Sequence, residues 1–196
     1  MTCWSDYYQK EITADLFIRN LYGQRGFLNT IIESKTRKIL EVGAGTGTMS
    51  VFLSNLGFEV TTLDNDPKIL EIAQQVKDKF NGQNYLQKGD AFKLPFADDS
   101  FDLVFHQGLL EHFKDDDIFR LLTEHLRVAP IVIFSVPNNF YPQKDVGDER
   151  LLGKSTWENI LKPYKIVMSC NYSLKFFPKW YLPRVPVQYM AKVVRK

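Results

Sequence analysis

The chain has little cysteine: Cys3 and Cys170 are its two thiols among 196 residues. Lacking any CxxC spacing, they allow at most one disulfide, so a disulfide framework and a cysteine-built zinc site are both excluded and no metal is expected. Long hydrophobic runs are missing too. No apolar stretch approaches the ~20 residues that a bilayer-crossing helix needs. The opening MTCWSDYYQKEITADLF lacks the basic-then-apolar layout of a secretion signal, so a cytoplasmic location is expected. Low-complexity tracts and repeats are absent. Strong net charge is absent as well, at +2, but the balance is uneven. Residues 1–150 carry 16 Lys+Arg against 22 acids, and residues 151–196 carry 9 against 1. The basic C-terminal segment holds KFFPKWYLPR, which suits either a solvated sheet edge or an anionic partner such as RNA.

What is present is an alternation of short apolar runs with amphipathic stretches, the pattern of a parallel sheet covered by helices on both faces. The strand candidates are KILEV (38–42), EVTTLD (59–64), NYLQKG (84–89), FDLVFHQ (101–107) and PIVIFSV (130–136). Helical patterns fall at about 48–56, 67–80 and 115–127, the second opening on Pro67, a residue suited to a first helical turn. STWENILK (155–162) reads as a short helix with Ser155 as N-cap and Glu158 completing a capping box. Two β-type runs follow, 164–177 and 187–196, with no helix fitting between them, so they are expected to pair antiparallel. The first 35 residues read as a helical cap with a break near Gly23 to Gly26, ahead of one α/β domain spanning 36–196. Tyr7 and Tyr8 of that segment suit a lid over a pocket.

Gly43, Gly45 and Gly47 lie directly after the first strand and before a helix, where they permit a tight turn and close approach of a ligand to the backbone. The spacing is GxGxG. The dinucleotide fingerprint GxGxxG would need a glycine at Thr48, so the loop departs from an NAD site. Glu41, two residues before the loop, is poorly placed beside a pyrophosphate and suits a cationic or amine-bearing ligand. Asp64 ends the second strand, where a carboxylate accepts from the two hydroxyls of a ribose or caps the following helix. Asp90 follows the third strand, where it can accept from an adenine amine while the N–H of Ala91 donates to a ring nitrogen. An adenosine with a positively charged, phosphate-free tail is S-adenosylmethionine.

ILEVGAGTG, VTTLDNDP, GDAFKLPFADDSFDLVFHQGLLEHF and IVIFSVPNN resemble the successive motifs of the class I S-adenosylmethionine-dependent methyltransferases, in particular the small-molecule group related to the ubiquinone-biosynthesis enzymes. The resemblance implies a doubly wound seven-stranded sheet in the order 3-2-1-4-5-7-6 with strand 7 antiparallel. It also implies that Glu41 and the loop Gly43, Ala44, Gly45 to Gly47 serve the methionine end, Asp64 the ribose, Asp90 and Ala91 the adenine, that Asn65 belongs to the cofactor site, and that Gln107 lies beside the sulfonium. The motifs are specific for the donor and silent on the acceptor.

Methyl transfer from a sulfonium needs alignment and exclusion of water more than it needs a catalyst, and a base only where the acceptor carries a proton. His106 is either that base or a core side chain, according to which face of the strand it takes. Tyr8 is a second candidate, since an aromatic face attracts a sulfonium. His112 belongs to an LEH triplet common in the family whatever the acceptor, which suits a structural or cofactor-side residue. With Tyr7, Asn138, Tyr141 and Arg150 it is a candidate for acceptor contact, as are Lys144 and Glu149 in the long stretch after the fifth strand. The Asn-Pro-Pro-Tyr motif of many amide and nucleobase methyltransferases is missing, and no nucleic-acid domain is appended, so a small-molecule acceptor is expected ahead of RNA. A module that binds the donor without turnover is the third possibility.

Overall fold

The computed structural model describes residues 11–142, 147–173 and 186–195. Tyr7, Tyr8, Lys144 and the KFFPKWYLPR segment lie outside these residues. The chain begins with helices α1 (Ala14–Gly23) and α2 (Arg25–Ile32), separated at Gln24. It then alternates β1 (Lys38–Val42), α3 (Thr48–Asn55), β2 (Glu59–Asp64), α4 (Pro67–Lys79), β3 (Tyr85–Lys88) and β4 (Leu103–Gln107). A 3₁₀ turn at Leu110–His112 leads to α5 (Asp115–Val128), β5 (Ile131–Pro137), α6 (Lys154–Ile160), β6 (Lys165–Tyr172) and β7 (Gln188–Val194). The strands form one sheet in the order β3-β2-β1-β4-β5-β7-β6. β7 runs antiparallel to both β5 and β6, and the other neighbouring pairs are parallel. Fold and strand order are those that the motifs imply.

Alternation along the central strands sorts their side chains onto two covered faces, which is why these strands read as nearly continuous apolar runs. Leu40, Val42, Val104, Val132 and Phe134 face α5 and α6, where Ile118, Leu121, Leu122 and Trp157 are buried. Ile39, Leu103, Phe105 and Ile133 face the other way, against Phe27, Leu28 and Ile31 of α2 and Leu53 of α3. Phe27 and Ile31 are fully buried, so α2 is a layer of the core as well as part of the N-terminal cover. Burying one such side chain contributes about 1.5–3 kcal/mol.

Local chemistry fixes most element ends. Asp66 caps α4 by accepting from Lys68 N at 2.9 Å, with Pro67 in the first turn. This leaves Asp64 free of the capping role; its Oδ1 instead accepts from Asp66 N at 3.0 Å. At α6 the structure corrects the expected capping box. The N-cap is Gly153, with no side-chain capping bond, and Ser155 lies inside the helix. Glu158 is turned to β6, where it accepts from Ser169 Oγ at 2.6 Å.

Candidate active site

Two adjoining chambers open at the carboxyl ends of β1, β2 and β4, where ligands of open α/β sheets bind. The first, about 240 Å³, is lined by Gly43, Gly45, Asp64, Asn65, Asp90 and Ala91 together with Leu63, Ile69, Leu109 and others. Phe92 and Phe113, packed edge to face at 5.3 Å between centroids, belong to its wall. The second, about 220 Å³, is lined by Asn20, Gln24, Glu41, Ala44, Thr46, Thr48 and Met49. Gly43, Gly45 and Gln107 line both, so the glycine loop and the end of β4 form the partition.

All three loop glycines have positive φ: 75° at Gly43, 52° at Gly45 and 68° at Gly47. Their roles differ. Gly43 and Gly45 border the chambers. Gly47 starts α3 behind the loop, where a Cβ would stand 3.1 Å from Ala73 Cβ of α4. It lines neither chamber, so its service is to helix packing.

Glu41 is 2% exposed and accepts from Ser50 Oγ in the third position of α3. Burial pushes its carboxyl up to about 8, against the hydrogen bond from Ser50, which favours the ionised form. Asp64, at the mouth of the first chamber, is also raised by burial, opposed by backbone hydrogen bonds that include the one from Asp66. Asp90 is exposed, and its Oδ1 accepts from Phe92 N at 2.9 Å. That bond folds the turn that presents Ala91 to the chamber.

The alternative left open for His106 is decided by parity. Leu103, Phe105 and Gln107 point to one face of β4, and Val104 and His106 to the other. His106 is fully buried, stacked on Phe134 at 5.6 Å and edge-on to His125 of α5 at 5.3 Å. Burial, then the neighbouring His125, holds its pKa well below the ordinary range. It borders neither chamber, so the structure gives no support to His106 as a base.

Three of the acceptor candidates have structural employment. The Asn138 side chain is consumed by backbone: Nδ2 donates to Pro186 O at 2.7 Å and Oδ1 accepts from Phe140 N at 2.8 Å. Tyr141 lies in the same turn, its N–H donating to Asn138 O at 2.9 Å. Arg150 does not present its guanidinium to either chamber. It donates to Phe113 O at 2.6 Å and to Asp115 Oδ1 at 2.7 Å, while its own N–H donates to Glu111 O at 2.8 Å. This clamps the segment after residue 147 onto the wall of the first chamber. His112 does line that chamber, with Nδ1 2.6 Å from Asp148 Oδ1. Glu149 is buried, its Oε2 accepting from Gly147 N at 2.8 Å.

Sequence reasoning missed Asn20, Gln24, Thr46 and Met49 and the aromatic pair Phe92 and Phe113. Only the loop position of Thr46 carried a local signal. Among the described residues no cluster of His, Cys, Asp or Glu suits a metal, and no helix is long and apolar enough to cross a membrane.

Residues 39–130 match the family described as "Methyltransferase domain". The uncharacterized methyltransferase YcgJ of Bacillus subtilis (strain 168) is 27% identical over 172 residues, covering 81% of this chain and 64% of that protein. A 2-methyl-6-phytyl-1,4-hydroquinone methyltransferase of Oryza sativa subsp. japonica is 39% identical over 151 residues, covering 74% of this chain and 44% of its own length. The chain thus spans about half to two thirds of these relatives. In fold it resembles magnesium protoporphyrin IX methyltransferase from Synechocystis PCC 6803, solved with bound S-adenosylhomocysteine, with a TM-score of 0.68 at 15% identity over 98% of this chain and 93% of that one. Residues 39–130 carry a methyltransferase domain, and the strand order is that of the Rossmann-like class I methyltransferase fold.

Proposed function

We propose that the chain transfers a methyl group from S-adenosylmethionine to a small-molecule acceptor. The observation that carries this is the shared partition: a chamber suited to a nucleoside and a polar chamber suited to an amino acid meet at Gly43, Gly45 and Gln107. A donor with adenosine at one end and methionine at the other has its sulfur between the two. Asp64 and Asn65 then hold the ribose, Asp90 and Ala91 the adenine edge, and Phe92 and Phe113 shield the adenine from water. Glu41 lies on the amino-acid side, where an ammonium group is its natural counter-ion.

The bound donor supplies a methyl group on a sulfonium, activated without metal. The protein's own part is alignment. Gln107 borders the junction from the end of β4, the glycine loop lets the ligand approach the backbone, and Asn20 of α1 with Gln24 lines the second chamber. The hydroquinone acceptor in the rice relative's name supports the small-molecule class. With His106 in the core, any base belongs to the acceptor's own chemistry or to His112 at the chamber wall.

The test is thermal unfolding with S-adenosylhomocysteine, with NAD as control. Ligand at one hundred times its dissociation constant stabilises by ~2.7 kcal/mol, a rise of roughly 5–10 °C for a chain of this size. A rise with S-adenosylhomocysteine alone supports the reading and opens a screen of acceptors with labelled methyl groups. Equal responses to both ligands, or none, would reject it.

A further inference from the structure

The second chamber is polar, yet its donors were not legible in the sequence. Gln24 sits between α1 and α2 and lines the chamber. Its side chain is held from behind. Tyr172, the last residue of β6, donates its hydroxyl to Gln24 Oε1 at 2.6 Å. On its other side Tyr172 Oη lies 2.6 Å from Ser135 Oγ of β5, whose hydroxyl donates to Gln188 Oε1 of β7 at 3.3 Å. Tyr172 is itself fixed: its ring lies against Gly26, where an added Cβ would be 3.6 Å from Cδ2, and burial raises its phenol pKa so that it stays a donor.

A glutamine amide offers one acceptor and two hydrogens. With the acceptor taken by Tyr172, the group left for the chamber is the NH₂. Asn20, one helical turn earlier, lines the same wall. Glu41, the carboxyl group suited to an ammonium, lines the same chamber. Amide donors and a carboxyl in one chamber are complementary to an α-amino acid, whose carboxylate and ammonium are separated by one carbon.

We propose that Gln24 binds the carboxylate of the donor's amino-acid tail and that Tyr172 is a positioning residue, orienting the Gln24 amide so that it presents hydrogens. The C-terminal strand pair would thereby set the polarity of a site that the N-terminal helices line. This rests on the S-adenosylmethionine reading above and adds residues that none of the motifs contain.

Calorimetric titration with two probes separates the claims. S-adenosylhomocysteine carries the amino-acid tail; 5′-methylthioadenosine has the same nucleoside and sulfur without it. Binding of 5′-methylthioadenosine to the wild type tests the underlying reading, and failure of both probes to bind would reject that reading. Gln24→Ala should weaken S-adenosylhomocysteine about tenfold, the scale of a charge-assisted hydrogen bond, while changing 5′-methylthioadenosine less than about twofold. Tyr172→Phe keeps the ring and its packing and should show the same selective loss, somewhat smaller. The double variant should lose no more than Gln24→Ala alone, because Tyr172 acts only through Gln24. Equal weakening of both probes, or additive losses in the double variant, would reduce Tyr172 to a packing role and overturn the proposal. Should Tyr172→Phe fold poorly, Gln24→Glu keeps the size of the side chain and removes the amide hydrogens; it should weaken S-adenosylhomocysteine at least as much as Gln24→Ala while 5′-methylthioadenosine still binds, and undiminished S-adenosylhomocysteine binding would overturn the proposal.

Discussion

Ser50, in the first turn of the helix after the glycine loop, donates its hydroxyl to the buried carboxyl group of Glu41 on β1. The bond joins the strand before the loop to the helix after it. It also leaves Glu41 poised between two protonation states, because burial raises its pKa from 4.5 to about 8. Between those values the native state holds a proton that the unfolded chain has released, so stability falls as pH rises through that interval. Denaturant unfolding between pH 6.5 and 8, above the range in which the buried imidazoles act, should show this loss in the wild type and a flatter profile in Glu41→Gln. An ammonium-bearing ligand favours the ionised form. Binding of S-adenosylhomocysteine near pH 7 should therefore release protons, seen calorimetrically as a dependence on buffer ionisation enthalpy that Glu41→Gln abolishes.

The opposite sign applies to the imidazole pair. Burial lowers His125 from 6.5 to about 4, and His106 is lowered as well. Below pH 6.5 the unfolded chain takes up protons that the native core refuses, so stability falls as pH drops toward 4. The wild type should be most resistant to urea at intermediate pH. Measured in Glu41→Gln, which removes the opposing carboxyl, a profile flat between pH 4 and 6.5 would contradict the buried placement of this pair.

Asp64 borders the first chamber and does not cap α4. Asp64→Ala should weaken S-adenosylhomocysteine by more than ~1 kcal/mol, the scale of losing a charge-assisted hydrogen bond. Unchanged affinity would remove Asp64 from the site.

Gly47 and Gly57 both have positive φ, but only Gly47 has a close neighbour, Ala73. Gly57→Ala should cost about 1 kcal/mol from backbone strain alone. Gly47→Ala should cost more, roughly 2–3 kcal/mol, because α3 and α4 must also part. Chemical denaturation of the two variants measures the difference.

Deletion of residues 1–30 should unfold the chain. It removes Phe27 and Leu28, which cover Ile39, Leu103 and Ile133, and losing one such phenylalanine to alanine costs about 3–5 kcal/mol. Circular dichroism of the truncated chain decides it; a cooperative, native-like transition would show that α2 is dispensable.

What the sequence determined by itself was whatever depends on neighbours along the chain. The alternation of apolar runs set the strands, the GxGxG spacing set a tight loop with positive φ, and strand-end acids at 41, 64 and 90 lay near that loop because parallel β/α units bring their strand ends together. The absence of a helical pattern before residue 187 placed β7 antiparallel. Only the tertiary structure decided what depends on partners distant in the chain. His106 went to the core because its strand neighbours fixed the parity, and Arg150 became a clamp because Phe113 and Asp115 were carried to it by a different segment. Gln24 met Tyr172 across 148 positions. A hydrogen bond between side chains leaves no periodicity in either segment, so such contacts become visible only when packing brings the elements together.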